Sequence, residues 1–473
     1  MTIVHVHRFL VVARIVFAKL PVFATTPPPH WGNWEAVSVS RSRFRWNLGI
    51  CGNLAVESLG EFAMRLDTVI FGGGAAGLWL LDRLSRDGHH VVLLESNALG
   101  AGQTVASQGI IHGGLKYTLS GLLTRSAISI REMPLLWRDA LLGRITPNLT
   151  RTRLRSECCY LWQTDSFTSR VGMLGARIGL QVKSEAIDAE ERPAALANVF
   201  GTVARLPEQV ICPASFLADL ADQYRDRILK IDVATGLKFR LGSPGEVESL
   251  ILKSPTDGAE LELRPRQVVF TAGAGNAKLR EMVGLSADVM QRRPLHMVLA
   301  RGALPELHGH CVDGARTRVT ITSDIDNDGR TVYQIGGQLA EDGTRLEPQA
   351  LAELARSELM SVLPNLDLAD VEWSTYRVDR AEGATANGAR PDSIQVLCAG
   401  NVTTGWPTKL VLAPILAQEI ASRASSPYIS TAFDPSPIAG WPRPEVAALP
   451  WQEQNRVWWR LPQYQSTPIR RAA

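Results

Sequence analysis

The chain has 473 residues, past the roughly 250–300 at which a single hydrophobic core stops growing, so two structural lobes are the starting expectation. Its 45% hydrophobic and 21% charged content excludes wholesale disorder. A net charge of +3, with the excess confined to the first 63 residues, argues against a nucleic-acid-binding face.

Ile3 to Phe23 is apolar, but Arg14 and Lys19 interrupt it and Pro21 follows, so it lacks the uncharged span of about 20 residues that crosses a membrane. Arg14 also sits where a secretory signal is uncharged. Residues 1–63 therefore read as an extension, a mis-called start or an irregular segment. Six cysteines, at 51, 158, 159, 212, 311 and 398, form no C-x-x-C pair and suggest reduced thiols in a cytoplasmic protein.

From Thr68 the pattern becomes regular. Thr68 to Phe71 is a short apolar run, Gly72 to Gly77 a glycine turn, and Ala75 to Arg86 has helical spacing with Leu78, Leu81 and Leu84 inward. His90 to Leu94 is a second apolar run, which completes a βαβ unit with parallel strands. A helix is expected over Leu122 to Leu142 with Pro134 inside it, and another over Phe216 to Arg227, followed by a strand from Leu229 to Val233. Val247 to Leu252, Glu260 to Leu263 and Gln267 to Thr271 read as strands. Val298 to Thr322 and Thr331 to Gly336 read as an antiparallel sheet turning at Asp326-Asn327-Asp328-Gly329. His308-Gly309-His310 has no further ligand nearby in sequence and reads as a solvated turn rather than a metal site, so no metal is expected. A helix over Pro348 to Leu363, a buried strand over Ser393 to Ala399 and a helix over Ala413 to Arg423 follow. The Pro- and Trp-rich tail reads as a wrap packed on the body, with a partner-binding arm as the other reading.

The motif that carries chemistry is Gly72-Gly73-Gly74-Ala75-Ala76-Gly77 between strand and helix, with Glu95 ending the next strand. Gly72 permits the tight turn, Gly74 lets a pyrophosphate approach the backbone, and Gly77 lets helix and strand pack closely. Glu95 is placed to accept hydrogen bonds from the hydroxyls of an adenosine ribose. The fold class is α/β, a Rossmann-like dinucleotide-binding domain with a second, mainly antiparallel-sheet α+β lobe.

Four segments then resemble the D-amino-acid oxidase superfamily, in particular the branch with flavin-dependent glycerol-3-phosphate dehydrogenase and L-2-hydroxyglutarate oxidase. They are the opening βαβ unit, Ala106-Ser107-Gln108-Gly109-Ile110-Ile111-His112-Gly113-Gly114-Leu115-Lys116-Tyr117, Val268 to Ala274, and Cys398-Ala399-Gly400 through Pro414. The branch commonly has Arg where this chain has Lys116. The resemblance implies FAD, with Ala106 and Ser107 against pyrophosphate and flavin and Ile110 to Gly114 beside the isoalloxazine. It also implies a second FAD contact at Ala272 and Gly273, an adenine contact at Leu237, and a closing loop from Gly400 through Lys409 and Leu410 at the flavin's pyrimidine edge. The division expected is an extension (1–63), an FAD-binding domain in three parts (64–140, 206–280, 381–424), a substrate lobe in two (141–205, 281–380) and the tail (425–473).

The activity so implied is hydride transfer to the flavin from a small anionic substrate, a 2-hydroxy acid or glycerol 3-phosphate. An amino-acid oxidase and a flavoprotein binding module without turnover are the alternatives. His112, with an ordinary pKa near 6.5, is the candidate for the base that takes the substrate's proton. Arg377 is the candidate for the anion, with Arg380 as rival on the opposite strand face. Oxygen, a quinone or an electron-transfer protein would reoxidise the flavin, and peripheral membrane contact stays open.

Overall fold

Val91-Val92-Leu93-Leu94 is apolar on both faces, as a strand must be when layers cover each side of its sheet. Val91 and Leu93 face the helices Ala75–Arg86, Pro213–Gln223 and Ala413–Ser422, whereas Val92 and Leu94 pack in a separate core with Leu237, Leu250 and Trp441. The computed structural model describes residues 63–113, 130–164, 185–313 and 316–462. They fall within one compact unit, Glu61–Ala473. The expected extension before residue 63, the Gly114 to Tyr117 end of the glycine-rich motif and the start of the helix expected from Leu122 lie outside them.

The first sheet takes its strands from three separated stretches. Its order is Gln395–Ala399, Val402–Trp406, Glu260–Phe270, Met64–Phe71, Val91–Glu95 and Ile228–Lys230, with Leu237–Ser243 and Glu246–Lys253 added as antiparallel strands beside Glu260–Phe270. The five strands from Val402–Trp406 to Ile228–Lys230 run parallel. Two readings of this region need correction. Gln395–Ala399 is a half-exposed edge strand rather than a buried one, and the buried strand is the following Val402–Trp406, reached by a hairpin. Glu260–Phe270 is one continuous strand through Pro265, not two.

The second sheet is built mostly from antiparallel neighbours. Glu372–Gly383, Met290–Gly302, Thr331–Gly336, Arg316–Ile325 and Gly309–Asp313 lie in that order, and Cys159–Gln163 joins the last of them in parallel. The helix Pro348–Val362 covers one face, burying Leu351, Ala355 and Leu359 against Val298, Tyr333 and Trp373. His308 and His310 are buried, His310 within the strand Gly309–Asp313, which overturns the solvated-turn reading. A strand alternates its faces, and here His310 turns inward to pair its Nδ1 with Thr320 Oγ1 at 2.9 Å.

The tail wraps both lobes. Trp441 Nε1 donates to Lys230 O, Arg443 donates to Ile228 O, and Trp459 pairs with Trp373 at the edge of the second sheet. Among the described residues no helix is long and apolar enough to cross a membrane.

A buried ion pair ties the short strand Leu154–Ser156 to the end of Arg316–Ile325. Arg155 Nη2 lies 2.7 Å from Asp324 Oδ2 with both side chains almost fully buried, and Arg153 reaches the same oxygen at 2.8 Å. Burial pulls the Arg155 guanidinium below its usual pKa while Asp324 acts the other way. Removing Asp324 would strand a buried cation, at a cost of about 3–5 kcal/mol. Asp324→Ala should therefore lower the unfolding midpoint strongly, whereas Asp222→Ala, which breaks the exposed pair with Arg151, should change stability by at most about 1 kcal/mol. Urea unfolding of the two variants side by side checks this.

Candidate active site

At the end of Met64–Phe71 the chain turns through Gly72, whose φ of +104° lies in the region open to glycine. A Cβ there would stand 2.5 Å from Ala272 Cα, and a Cβ on Gly77 only 1.9 Å from Gly72 O. The helix Ala75–Arg86 thus starts directly behind the turn, with its N-terminal amides directed to the space in front. A Cβ on Gly74 would meet only Thr104 Oγ1, at 3.2 Å. Gly73 N donates to Glu95 Oε2 at 2.7 Å and Asn97 N to Glu95 Oε1 at 2.7 Å, so backbone amides orient the carboxylate.

In front of the turn lies a cavity of about 670 Å³. Glu95, Ile231 and Val233 line one part of it, Gly72, Gly74, Ala272 and Gly273 another, and Ala106, Ser107, Leu295, Lys409 and Leu410 a third. Trp406 and Thr408 also border it. Thr408 holds a φ of +52°, strained for a β-branched residue, and Trp406 Nε1 and Thr408 Oγ1 are buried with no hydrogen-bond partner among the described residues. A wall left incomplete by the protein's own groups, a glycine turn with room for phosphate and an oriented carboxylate together fit a flavin dinucleotide.

The structure brings most of the expected cofactor residues together and displaces two, Leu237 and Gly400. Gly72, Gly74, Glu95, Ala106, Ser107, Ala272, Gly273, Lys409 and Leu410 line the cavity, while Gly77 packs behind it against Gly72 O. Leu237, expected to meet adenine through its backbone, is not among the lining residues: it starts an antiparallel strand over the core beneath, while Ile231 and Val233 occupy the wall. Gly400 is a hairpin residue with φ +56°, where a Cβ would lie 2.3 Å from Gly245 O, and it borders a separate cavity of about 270 Å³ together with Asp67, His89 and Arg266. Arg377 and Arg380 both line the main cavity, although three residues apart on a strand, because Glu372–Gly383 runs along its wall.

His112 is not among the lining residues of that cavity; it belongs to an adjoining cluster. The bridge between Ile110 and Val210 and the bond from Ile111 N to Gln209 O at 2.8 Å bring Glu208 alongside it. Gly113 N donates to Glu208 Oε1 at 2.6 Å, His112 Nδ1 lies 3.4 Å from Oε2, and His310 Nε2 lies 3.9 Å from the same oxygen. The donor atoms of the three side chains stand within 4.8 Å of one another, a convergence that would also suit a divalent metal. The cluster sits where the second sheet meets the segment leading away from Ala106. Along that seam Gln334 Nε2 and Tyr376 Oη both donate to Ala106 O, and Gln108 Nε2 donates to Thr320 O and Gln334 O. Burial pushes the Tyr376 phenol well above its usual pKa, so it stays a hydrogen-bond donor here. Glu208 carried no signal in the sequence, since nothing local marks a residue whose partner is 96 positions away, and His310 was read from its local pattern as a turn.

Comparison with known proteins gives a consistent result. Residues 67–423 match the family model DAO, FAD dependent oxidoreductase. A probable FAD-dependent oxidoreductase, PA4991 of Pseudomonas aeruginosa, is 38% identical over 395 residues, covering 82% of this chain and 98% of that protein. Its crystal structure superposes with a TM-score of 0.68 at 36% identity over the same shares of the two chains. The fold is also that of glycine oxidase from Geobacillus kaustophilus (TM-score 0.53, 17% identity, 79% of this chain and 98% of that one). L-α-glycerophosphate oxidase from Mycoplasma pneumoniae with FAD bound is similar in fold as well (TM-score 0.53, 13% identity, 78% and 97%).

Loss of the Glu95 carboxylate frees the amides of Gly73 and Asn97 and, on the expectation that it accepts from ribose hydroxyls, removes that acceptor. At about 1.5–3 kcal/mol for a charged hydrogen bond, Glu95→Ala should weaken FAD retention roughly ten- to a hundredfold. Equilibrium dialysis followed by fluorimetry of released FAD, with circular dichroism to confirm an intact fold, measures the effect.

Proposed function

This chain belongs to the DAO family of FAD-dependent oxidoreductases, and from that membership we propose that it oxidises a small anionic substrate bearing a hydroxyl, a 2-hydroxy acid or glycerol 3-phosphate. FAD, when bound, supplies the two-electron acceptor. The chain's own residues then have to hold the anion, exclude water and take a proton.

The observation that carries this reading is the state of Arg377. Its Nη1 donates to Thr344 O at 2.6 Å and its Nη2 to Leu346 O at 3.0 Å, so backbone carbonyls orient the guanidinium of this exposed residue, which is among those lining the cavity. Among the described residues no carboxylate stands within ion-pair distance of it. Neighbouring charges are matched by contrast: Arg380 with Glu341 at 2.8 Å, Arg293 with Glu382 at 2.7 Å, and Asp379 with Arg292 at 3.8 Å. An oriented cation without a counter-charge, beside a flavin-sized cavity, favours a carboxylate or phosphate. His112, beside the carboxylate of Glu208, is the acceptor for the substrate's hydroxyl proton in this reading.

Anaerobic titration of the FAD-loaded protein with 2-hydroxy acids, glycerol 3-phosphate and amino acids tests it through bleaching of the flavin absorbance. Bleaching by amino acids alone would replace the reading with an amino-acid oxidase. No bleaching by any of the three classes would leave a binding module. With the substrate in hand, Arg377→Lys should raise KM roughly ten- to a hundredfold while leaving the flavin spectrum unchanged, because lysine keeps the charge but loses the planar fork.

A further inference from the structure

A charge taken out of water has to be matched inside the protein, and the deeply placed arginines of this chain show how. Arg155 meets Asp324 at 2.7 Å, Arg293 meets Glu382 at 2.7 Å and Arg301 meets Glu372 at 2.8 Å. Arg280 is the exception. It stands on the short helix Asn276–Met282 and is only 6% exposed, yet no carboxylate lies within ion-pair distance of it among the described residues. Its hydrogen bonds go to neutral groups: Nε donates to Ser286 O at 2.6 Å and Nη1 to Thr404 Oγ1 at 3.0 Å. Glu281, next along the helix, is taken by Lys278 at 3.6 Å. Burial pulls the Arg280 guanidinium below its usual pKa with no acidic neighbour acting the other way, but a guanidinium keeps its proton in proteins.

The unmatched charge lies behind the cofactor cavity. Thr404, which Arg280 holds, precedes Gly405 and Trp406 on the strand Val402–Trp406, and these two line the cavity, as do Lys278 and Leu279 of the helix that carries Arg280. Asn276, one turn earlier, accepts from Ala272 N at 2.8 Å and donates to Gly405 O at 3.4 Å, so this helix is fixed to both chain segments that form the wall. We propose that Arg280 is a counter-charge built for the cofactor, which from behind the wall matches the negative charge of bound FAD and strengthens its retention. The diphosphate of FAD is anionic, and the field of a buried cation is screened far less through packed protein than through solvent. The chain thus holds one half of an ion pair, at a cost in the FAD-free state, and the other half arrives with the cofactor.

The test measures FAD affinity, and the unfolding midpoint with and without FAD, in variants of the full-length protein. Arg280→Gln stays polar but loses the charge. It should weaken FAD binding roughly tenfold or more, while the midpoint of the FAD-free protein holds or rises because a buried unmatched cation has gone. Arg280→Lys keeps the charge and should bind FAD within about threefold of the wild type. Thr404→Val removes the partner of Nη1 but leaves the charge, and should likewise stay within about threefold. The flavin's midpoint potential is an independent readout: reduction adds negative charge, so the potential should move to more negative values in Arg280→Gln and hold in Arg280→Lys. Wild-type FAD affinity in Arg280→Gln would overturn the proposal. So would a loss in Arg280→Lys or Thr404→Val as large as in Arg280→Gln, which would make Arg280 a hydrogen-bonding brace of the wall. Arg280→Met serves as the neutral variant if Arg280→Gln does not fold, and a chain that folds with neither would also overturn the proposal, since the charge would then serve the fold without FAD.

Discussion

Backbones approach so closely at one point of this molecule that two positions, 72 and 77, have no room for a side chain. Gly72 abuts Ala272, and Gly77 abuts Gly72 O, so the turn after the first strand, the start of the first helix and the end of Glu260–Phe270 share the space of a few atoms. A Cβ on Gly72 would meet the backbone of Ala272 at 2.5 Å and one on Gly77 would meet Gly72 O at 1.9 Å, so the turn, the helix start or the strand end would have to shift. Glu95 is oriented by the amide of Gly73 in the same turn. Packing and binding are therefore the same constraint at this crossing, which is why the glycines recur at a spacing that serves both.

The second lobe is fastened to this crossing through a seam of side chains acting on main-chain oxygens. Ala106 O accepts from both Gln334 and Tyr376, and Gln108 reaches the carbonyls of Thr320 and Gln334. Small residues at 106 and 107 leave their backbone bare to the cavity, and the same bareness makes it available to the seam. The segment that would lie against the flavin is thus clamped from behind by the lobe that would hold the substrate. His112 and Glu208 continue the line of the seam beyond Gln108, where the ends of two non-adjacent stretches pair as short extended chain.

What could be read from the sequence was whatever is local. Gly72 to Gly77 and Glu95 belong to one contiguous βαβ unit, and a turn that demands glycine announces itself in three consecutive letters. Ala272 and Gly273 follow a buried strand in the same way. Leu237 and Gly400 were misplaced because counting along a chain does not separate a residue on a cavity wall from one beneath it. Val402–Trp406 was hidden by its own composition, Thr and Gly in a strand buried on both faces, while the more apolar Gln395–Ala399 took its place in the reading and proved to be the edge. Glu208 lay beyond reach altogether: its contact with His112 spans 96 residues, and a single glutamate before a two-residue strand carries no mark of it.

The scattered origin of the first sheet has a consequence for how the chain is made. Strands from Met64–Phe71, Glu260–Phe270 and Val402–Trp406 lie side by side, and the wall that closes the cavity at Lys409 and Leu410 is the last of these stretches to leave the ribosome. The βαβ unit can form early, yet until some 315 further residues have emerged it has only part of its pocket wall. The cavity wall is therefore complete only once Lys409 and Leu410 have emerged. During most of synthesis the nascent protein must hide its central strands without the help of the flavin that will finally sit against them.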